Sequence, residues 1–233
     1  MDALNEGELA GLRAWPSPAI SNAIETFRVR PRNEGFMGSE IVCRFPEFEP
    51  IVGYAATCRI RASAAPEGDV PSREEWWAHI QSIPEPRIIV IQDLDQPAVG
   101  SFWGEVNGNV HKALGAIGVV TDGGVRDLDE VREIGFQFLA KEVLVSHAYV
   151  HIVEVGAPVV VGGLTVNPGD LLHADKHGCI NIPHEIAREV PAAAQAVEDR
   201  ERVIINYAKS KEFTREGLSA LYAPAVTSKS EQA

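Results

Sequence analysis

The chain has 233 residues, 45% of them hydrophobic, enough for a real core in one large domain or two small ones. Its formal net charge of -12 argues against nucleic acid and anionic membrane surfaces, whose binding rests on Lys and Arg. The same charge leaves room for a small anionic ligand, because a site needs only a few local cations. Cys43, Cys58 and Cys179 are widely spaced and odd in number, which excludes a disulfide framework and a cysteine zinc site as expectations and points to a reducing cytoplasm. The first dozen residues are acidic and do not resemble a signal peptide, and no apolar run approaches the length of a membrane span.

Residues 5–13 suggest a weak helix, and a second helix starts at Ser17 or Ser21 and runs to about Phe27. The stretch 28–50 reads as irregular, with a short strand at Glu40–Cys43. Val52–Ile60 is strand-like, and Ala64–Ser72 is a loop with two prolines and a glycine. Arg73–Ser82 suggests a helix with Trp76, Trp77 and Ile80 on its apolar side. Arg87–Ile91, RIIVI, is apolar throughout, as in a strand buried on both faces. Gly104–Leu114 has helical spacing, Gly118–Thr121 is a second buried strand, and Leu128, Val131 and Ile134 mark a helix ended by Gly135. Phe138–Val145 is the next expected strand. Residues 157–183 are the most β-like, with turns at Gly162-Gly163, Asn167-Pro168-Gly169 and Lys176-His177-Gly178.

From His184 to about Lys211 the pattern is one long helix, in which Pro191 marks a kink or a new start. A short helix near Arg215–Leu221 and a polar tail close the chain. No repeat or low-complexity linker divides it. The expected architecture is a single α/β domain over 1–233, with a core at about 15–190 and a C-terminal helical arm at about 191–222 suited to packing on a neighbouring subunit.

The chemistry concentrates at two helix starts. Gly104-Glu105 opens one, and Arg126-Asp127 opens the next after an intervening strand. Helix N-termini offer free N–H groups and partial positive charge, and Arg126 adds a fork suited to a carboxylate. Glu105 and Asp127 would repel each other if close, unless a cation lay between them. Oxygen ligands favour Mg²⁺ or Mn²⁺ over Zn²⁺. An ion and an arginine beside one anion suit enolate chemistry. The plainer alternative is a charged surface helix, and Asp129 and Glu130 are best read that way.

Other candidates are weaker. His147 and His151 lie in a β-rich stretch that does not suit a metal pair. His173 and His177 read as flanks of a surface turn, and Asp122 as a turn residue before Gly-Gly. Lys141 stands alone among apolar residues, as a Schiff-base lysine could, although a lysine snorkelling from a strand is the simpler reading. Ser101 and Ser146 lack a nucleophile motif.

The stretch WGEVNGNVHKALGAIGVVTDGGVRDLDEV resembles the signature of the regulator of ribonuclease activity A family, which includes the 4-hydroxy-4-methyl-2-oxoglutarate / 4-carboxy-4-hydroxy-2-oxoadipate aldolases. SNAIETF and VGGLTVNPGDLLHADKHGCINIP extend the resemblance over roughly residues 15–215. It implies a β/β/α swivelling-domain fold, a homotrimer or dimer of trimers, and active sites between subunits. It implies that Asp127 binds the divalent ion, Glu105 holds one of its waters, and Arg126 faces the pyruvyl carbonyl. Backbone N–H groups from Gly104 through Val106 to Asn107 would hold the substrate carboxylate. Glu201 of a neighbouring subunit, or less well Glu198, would complete the water shell. The implied activity is a metal-dependent, pyruvate-releasing aldolase on small 4-hydroxy-2-oxo acids, with oxaloacetate decarboxylation beside it. A non-catalytic protein-binding regulator of ribonuclease type is the alternative. The sequence departs from the pattern at Val106-Asn107-Gly108-Asn109, at Asn22 and in the long Ala64–Pro86 region with its two tryptophans, which puts the substrate in question more than the ion.

Overall fold

The computed structural model describes residues 3–222; the polar tail lies outside them. Two helices lead in: α1 (Glu6–Arg13), held by a capping box between Asn5 and Glu8, and α2 (Ser17–Phe27), entered through Pro16. There follow β1 (Val42–Cys43), β2 (Ile51–Arg61), α3 (Arg73–Ser82), with a second capping box at Ser72 and Glu75, β3 (Arg87–Asp93) and β4 (Ser101–Trp103). Next come α4 (Glu105–Ala113), β5 (Ala116–Val125), α5 (Leu128–Ile134), which stops at the left-handed Gly135, and β6 (Gln137–Val143). The last part holds β7 (His151–Val155), β8 (Val159–Val161), β9 (Leu164–Val166), β10 (Leu171–Asp175), β11 (Gly178–Ile182), α6 (Val190–Lys209) and α7 (Arg215–Tyr222).

The main sheet runs β1-β6-β5-β3-β2-β10-β11, with β4 beside β5 and β7 beside β2; β8 and β9 pair separately as a hairpin. Its centre, β6-β5-β3-β2, is parallel, and β1, β10 and β11 join antiparallel. Central strands are buried on both faces, and alternation divides their side chains between two cores. Ala56, Cys58, Ile89, Ile91, Val119 and Phe138 point into the larger core, which the helices cover. Ala55, Ile88, Val90, Val120 and Leu139 point into the smaller one, closed by Val159, Val161 and Val166 of the hairpin. This is the mixed α/β architecture expected from the sequence.

Four local expectations need correction. The strand through Val119 does not stop at Thr121: β5 continues through Asp122-Gly123-Gly124 to Val125. Its first half pairs with β3 up to Thr121, and its end pairs with β4 at Gly124 and Val125. The glycine pair lies where the strand changes partner. A Cβ on Gly123 would come 2.9 Å from Asp93 Oδ2, and one on Gly124 2.4 Å from Leu144 Cδ1. Asp122 is accordingly a strand residue, and its Oδ1 accepts the Asp93 N–H at 2.7 Å.

The long C-terminal helix begins at Val190 and not at His184, because Pro191 fits a first helical turn, where no N–H is needed. Of this helix only Val190 and Ala194 are buried, so the arm leaves the core after its second turn. His173 is a core residue of β10, not part of a surface turn. Its Nδ1 meets Ser17 Oγ and its Nε2 meets Trp15 O, each at 2.9 Å. His177 does sit at the turn, 3.1 Å from Asp175 Oδ2. Finally, β4 is a strand in a stretch for which the sequence pattern predicts none, whereas β7 lies in the stretch read as β-rich.

Candidate active site at two adjacent strand ends

β4 and β5 are parallel neighbours, and each runs straight into a helix. The Arg126 N–H donates to Trp103 O at 2.9 Å, so the ends of the two strands are tied together. That tie brings Gly104-Glu105 and Arg126-Asp127, 22 residues apart in sequence, into contact. The Glu105 N–H donates to Asp127 Oδ2 at 3.0 Å, and Arg126 Nε stands 3.7 Å from the same oxygen. Carboxyl ends of parallel strands are where open α/β sheets commonly place ligands.

Two backbone features serve this contact. Asp127 holds a left-handed conformation, φ 53° and ψ 48°, which is uncommon for a residue with a side chain and concentrates at functional sites. Gly104 is extended, so its lack of a side chain is needed for space and not for conformation. A Cβ there would fall 2.3 Å from Asp127 Oδ2 and 3.2 Å from Arg126 Cγ. The carboxylate therefore lies across the glycine and caps α4 from outside the helix.

Several groups at this junction remain uncommitted. Among the described residues, the guanidinium of Arg126 makes no hydrogen bond, Asp127 Oδ1 has no partner, and the exposed Glu105 carboxylate is in no ion pair. Asp127 takes the Glu105 N–H for itself, which leaves those of Val106 and Asn107 as the open donors of the first turn. By contrast Asp129 is held by Arg132 at 2.7 Å, as a surface helix charge would be. No three His, Cys, Asp or Glu side chains among the described residues cluster closely enough to enclose an ion.

Gly104, Val106, Asn107, Arg126 and Asp127 all line one cavity of about 610 Å³. Its inner wall is a closed hydrogen-bond chain. Trp76 Nε1–H donates to His111 Nε2 at 2.9 Å, and His111 Nδ1–H donates to Asn107 O at 2.7 Å. The Asn107 side-chain amide is tied in turn to Phe102 O. His111 is 1% exposed and packed among Trp76, Phe102 and Trp103; burial pushes its pKa down to about 4, so it is a neutral spacer. The opposite wall comes from the loop before α3, from Trp77, and from residues 147–152. His147 and His151 belong to this rim, each with Nδ1 bonded to a main-chain carbonyl, of Ala148 and Tyr149 respectively. That wall escapes the site pattern of the sequence; the tryptophan pair of α3, of which Trp77 belongs to it, is its one visible sign.

Lys141 and Asp122 stand elsewhere. With Glu40, Gln92, Asp93 and Gln96 they line a second cavity of about 330 Å³ beside the β8–β9 hairpin. Lys141 Nζ donates to Gln96 Oε1 at 2.9 Å. Asp93 is buried with Oδ2 unpartnered, and burial next to Asp95 and Asp122 raises its pKa to about 6. Ser101 Oγ–H is spent on the carbonyls of Trp103 and Gly124, so it offers no nucleophile. Glu198 on α6 pairs with Arg202; Glu201 on the same helix is exposed, and neither lines the 610 Å³ cavity of its own chain.

The sequence pattern of the RraA-like family, described as Aldolase/RraA, matches residues 17–180. A Halalkalibacterium halodurans protein that its name assigns, by inference, to 4-hydroxy-4-methyl-2-oxoglutarate aldolase activity is 26% identical over 179 residues, covering 73% of this chain and 74% of that protein. Two further curated relatives match over only 23% and 50% of their own lengths, so this chain spans half of them or less. Among solved structures, an uncharacterized protein from Pseudomonas syringae superimposes with a TM-score of 0.72 at 25% identity, over 95% of this chain and 96% of that one. A Streptomyces coelicolor protein, described as an unusual member of the RNase ES inhibitor RraA protein family, gives 0.68 at 22% identity, over 87% of this chain and 98% of that one, which speaks to the fold alone.

Proposed function

Because the chain belongs to the RraA-like family, we propose that it is a divalent-metal-dependent lyase that releases pyruvate from 4-hydroxy-2-oxo acids and also decarboxylates oxaloacetate. The observation that carries this reading is the Arg126 guanidinium at the mouth of α4, which makes no hydrogen bond among the described residues and stands 3.7 Å from a carboxylate with one free oxygen. The residues fit a hard ion: the donors are carboxylate oxygens, and the missing side chain of Gly104 leaves the Asp127 carboxylate room. Asp127 would hold Mg²⁺ or Mn²⁺ directly and Glu105 through a water, with Glu201 of the partner subunit supplying a further water contact in a homotrimer or dimer of trimers. Such an ion supplies Lewis acidity at the 2-oxo carbonyl.

The remaining steps belong to the chain's own groups. The Val106 and Asn107 N–H groups, at the positive end of α4, receive the substrate carboxylate. Arg126 donates to the carbonyl oxygen that gains charge as the C3–C4 bond breaks and its electron pair moves into the pyruvate enolate. A water linked to Glu105 accepts the 4-hydroxyl proton as the second carbonyl product forms, then returns a proton to C3 to give pyruvate. Loss of carbon dioxide from oxaloacetate leaves the same enolate, which accounts for the second activity. In this reading Lys141 forms no Schiff base, consistent with its place in the other cavity.

A pyruvate-release assay on oxaloacetate and a panel of 4-hydroxy-2-oxo acids, with Mg²⁺ or Mn²⁺ and then with EDTA, tests the proposal. It expects turnover that EDTA abolishes and that borohydride with pyruvate does not. The second reading is a non-catalytic, protein-binding regulator of ribonuclease type, since the family description spans both kinds of protein. Metal-loaded protein that cleaves none of these acids yet captures a ribonuclease would favour it.

A further inference from the structure

We propose that the substrate carries a bulky apolar tail, aromatic or branched, beyond C4, and that Val70, Pro71, Trp77 and Tyr149 form the subsite that receives it. This rests on the lyase reading above and deepens it. The cavity of about 610 Å³ is of a size that takes drug-sized ligands, whereas the pyruvyl head contributes only six heavy atoms. Arg126, Asp127 and the first turn of α4 take the pyruvyl head in the lyase reading, so the remaining volume belongs to whatever is attached at C4.

The polar groups of the inner wall are already spent. Trp76 Nε1, both nitrogens of His111, the Asn107 amide and Ser101 Oγ all have partners inside the protein. A tail hydroxyl or carboxylate placed there would lose water and gain no donor, which is costly. A second carboxylate could reach Arg73 at the start of α3, or Nε2 of His147 and His151, all of which line the cavity, but these groups lie toward solvent, where water and salt weaken the attraction. Meanwhile Tyr149 is 63% exposed and Val70 39% exposed. Large apolar residues left open on one concave surface, next to an anion-holding end, mark a binding site and not scattered surface hydrophobics.

The test compares binding of phenylpyruvate and 2-oxoglutarate by titration calorimetry, with Mg²⁺ present, and cleavage of 4-hydroxy-2-oxo acids bearing a phenyl or a carboxylate at C4. Phenylpyruvate is expected to bind at least about tenfold more tightly, and the phenyl substrate to show the higher kcat/KM in similar proportion. In Trp77→Ala, and separately in the surface variant Tyr149→Ala, the ratio of the two affinities should fall toward one. Equal or tighter binding of 2-oxoglutarate, or a ratio unmoved in both variants, overturns the subsite while leaving the lyase intact. If neither acid binds and nothing is cleaved, the lyase reading falls and takes the subsite with it.

Discussion

Arg126 and Lys141 are each a cation placed at or near the end of a central strand, and each lines a cavity, yet their surroundings differ in kind. Around Lys141, Gln96 takes the ammonium, Asp122 takes the Asp93 N–H and Asp93 takes the Asp95 N–H. Several polar groups of that cavity are turned on one another, and Asp93 Oδ2 is left buried without a partner. Around Arg126 the balance differs: the guanidinium makes no hydrogen bond among the described residues and only a 3.7 Å ion pair with Asp127, while Asp127 Oδ1 and two helix N–H groups have no partner there, and the polar groups of the wall beside them are bonded to one another. Charge content alone does not separate the two places. What separates them is whether the folded chain has already satisfied its own donors and acceptors, since only unsatisfied ones are available to a ligand.

The contrast can be broken most forcefully by exchanging cations for methyl groups. Arg126→Ala should reduce pyruvate release by about 10²–10³-fold, the usual loss for one donor aimed at a developing oxyanion. Lys141→Ala should leave it within about twofold. Arg126→Lys should restore little, because a point charge does not replace the planar fork. Steady-state kinetics on the three variants, with circular dichroism to confirm folding, decides the matter; equal losses at both positions would erase the distinction.

A smaller effect is expected at Gly104. The Cβ of Gly104→Ala would stand 2.3 Å from Asp127 Oδ2 and 3.1 Å from its Cγ, so the carboxylate must move. Displacement of a catalytic group by about 1 Å costs on the order of 10²-fold in rate, and crowding of this kind costs about 1–3 kcal/mol in stability. Kinetics and urea midpoints should show the first loss outrunning the second.

The smallest effect separates the cavities by pH. Asp93 has its folded-state pKa raised to about 6 by burial, against an ordinary value of 3.8. Above pH 6 the carboxylate is ionised in both states and the burial penalty is fully felt. As pH falls through 6 the folded protein takes up a proton that the unfolded chain does not, so this group's contribution to stability rises until about 3.8. Asp93→Asn should therefore gain on the order of 2 kcal/mol relative to wild type at pH 7.5 compared with pH 4.5. His111 runs the other way, since its depressed pKa of about 4 makes stability fall as pH drops below 6.5. It is present in both proteins, so the wild-type and variant difference isolates Asp93. Parallel melting curves across this range would remove the contrast in burial.

Much of this arrangement is written locally and can be read without coordinates. Arg73–Ser82 coincides with its helix because Ser72 and Glu75 announce its start, and RIIVI is a buried strand because nothing else suits five such residues. Glu105, Arg126 and Asp127 are legible as a group because each opens a helix, and helix openings are marked by sequence. The failures are those of long range. Gly123-Gly124 reads as a turn, since glycine pairs usually are, but here they let β5 pass from β3 to β4, a demand set by Asp93 and Leu144. His173 looks like turn polarity because Ser17 and Trp15, its partners, lie more than 150 residues away. The far wall of the cavity draws on positions 70, 77 and 149, which no local pattern connects.

In the proposed lyase one small anion and one divalent ion meet between Arg126 and Asp127. Co-crystallisation with oxalate, a planar mimic of the pyruvate enolate, and Mn²⁺ tests it most directly through the anomalous signal of the metal. A manganese peak is expected at coordinating distance from Asp127 Oδ1, with oxalate hydrogen-bonded to the Arg126 guanidinium. Manganese and oxalate bound together in the Lys141 cavity, or Arg126 pointing away from an oxalate held elsewhere, would contradict it.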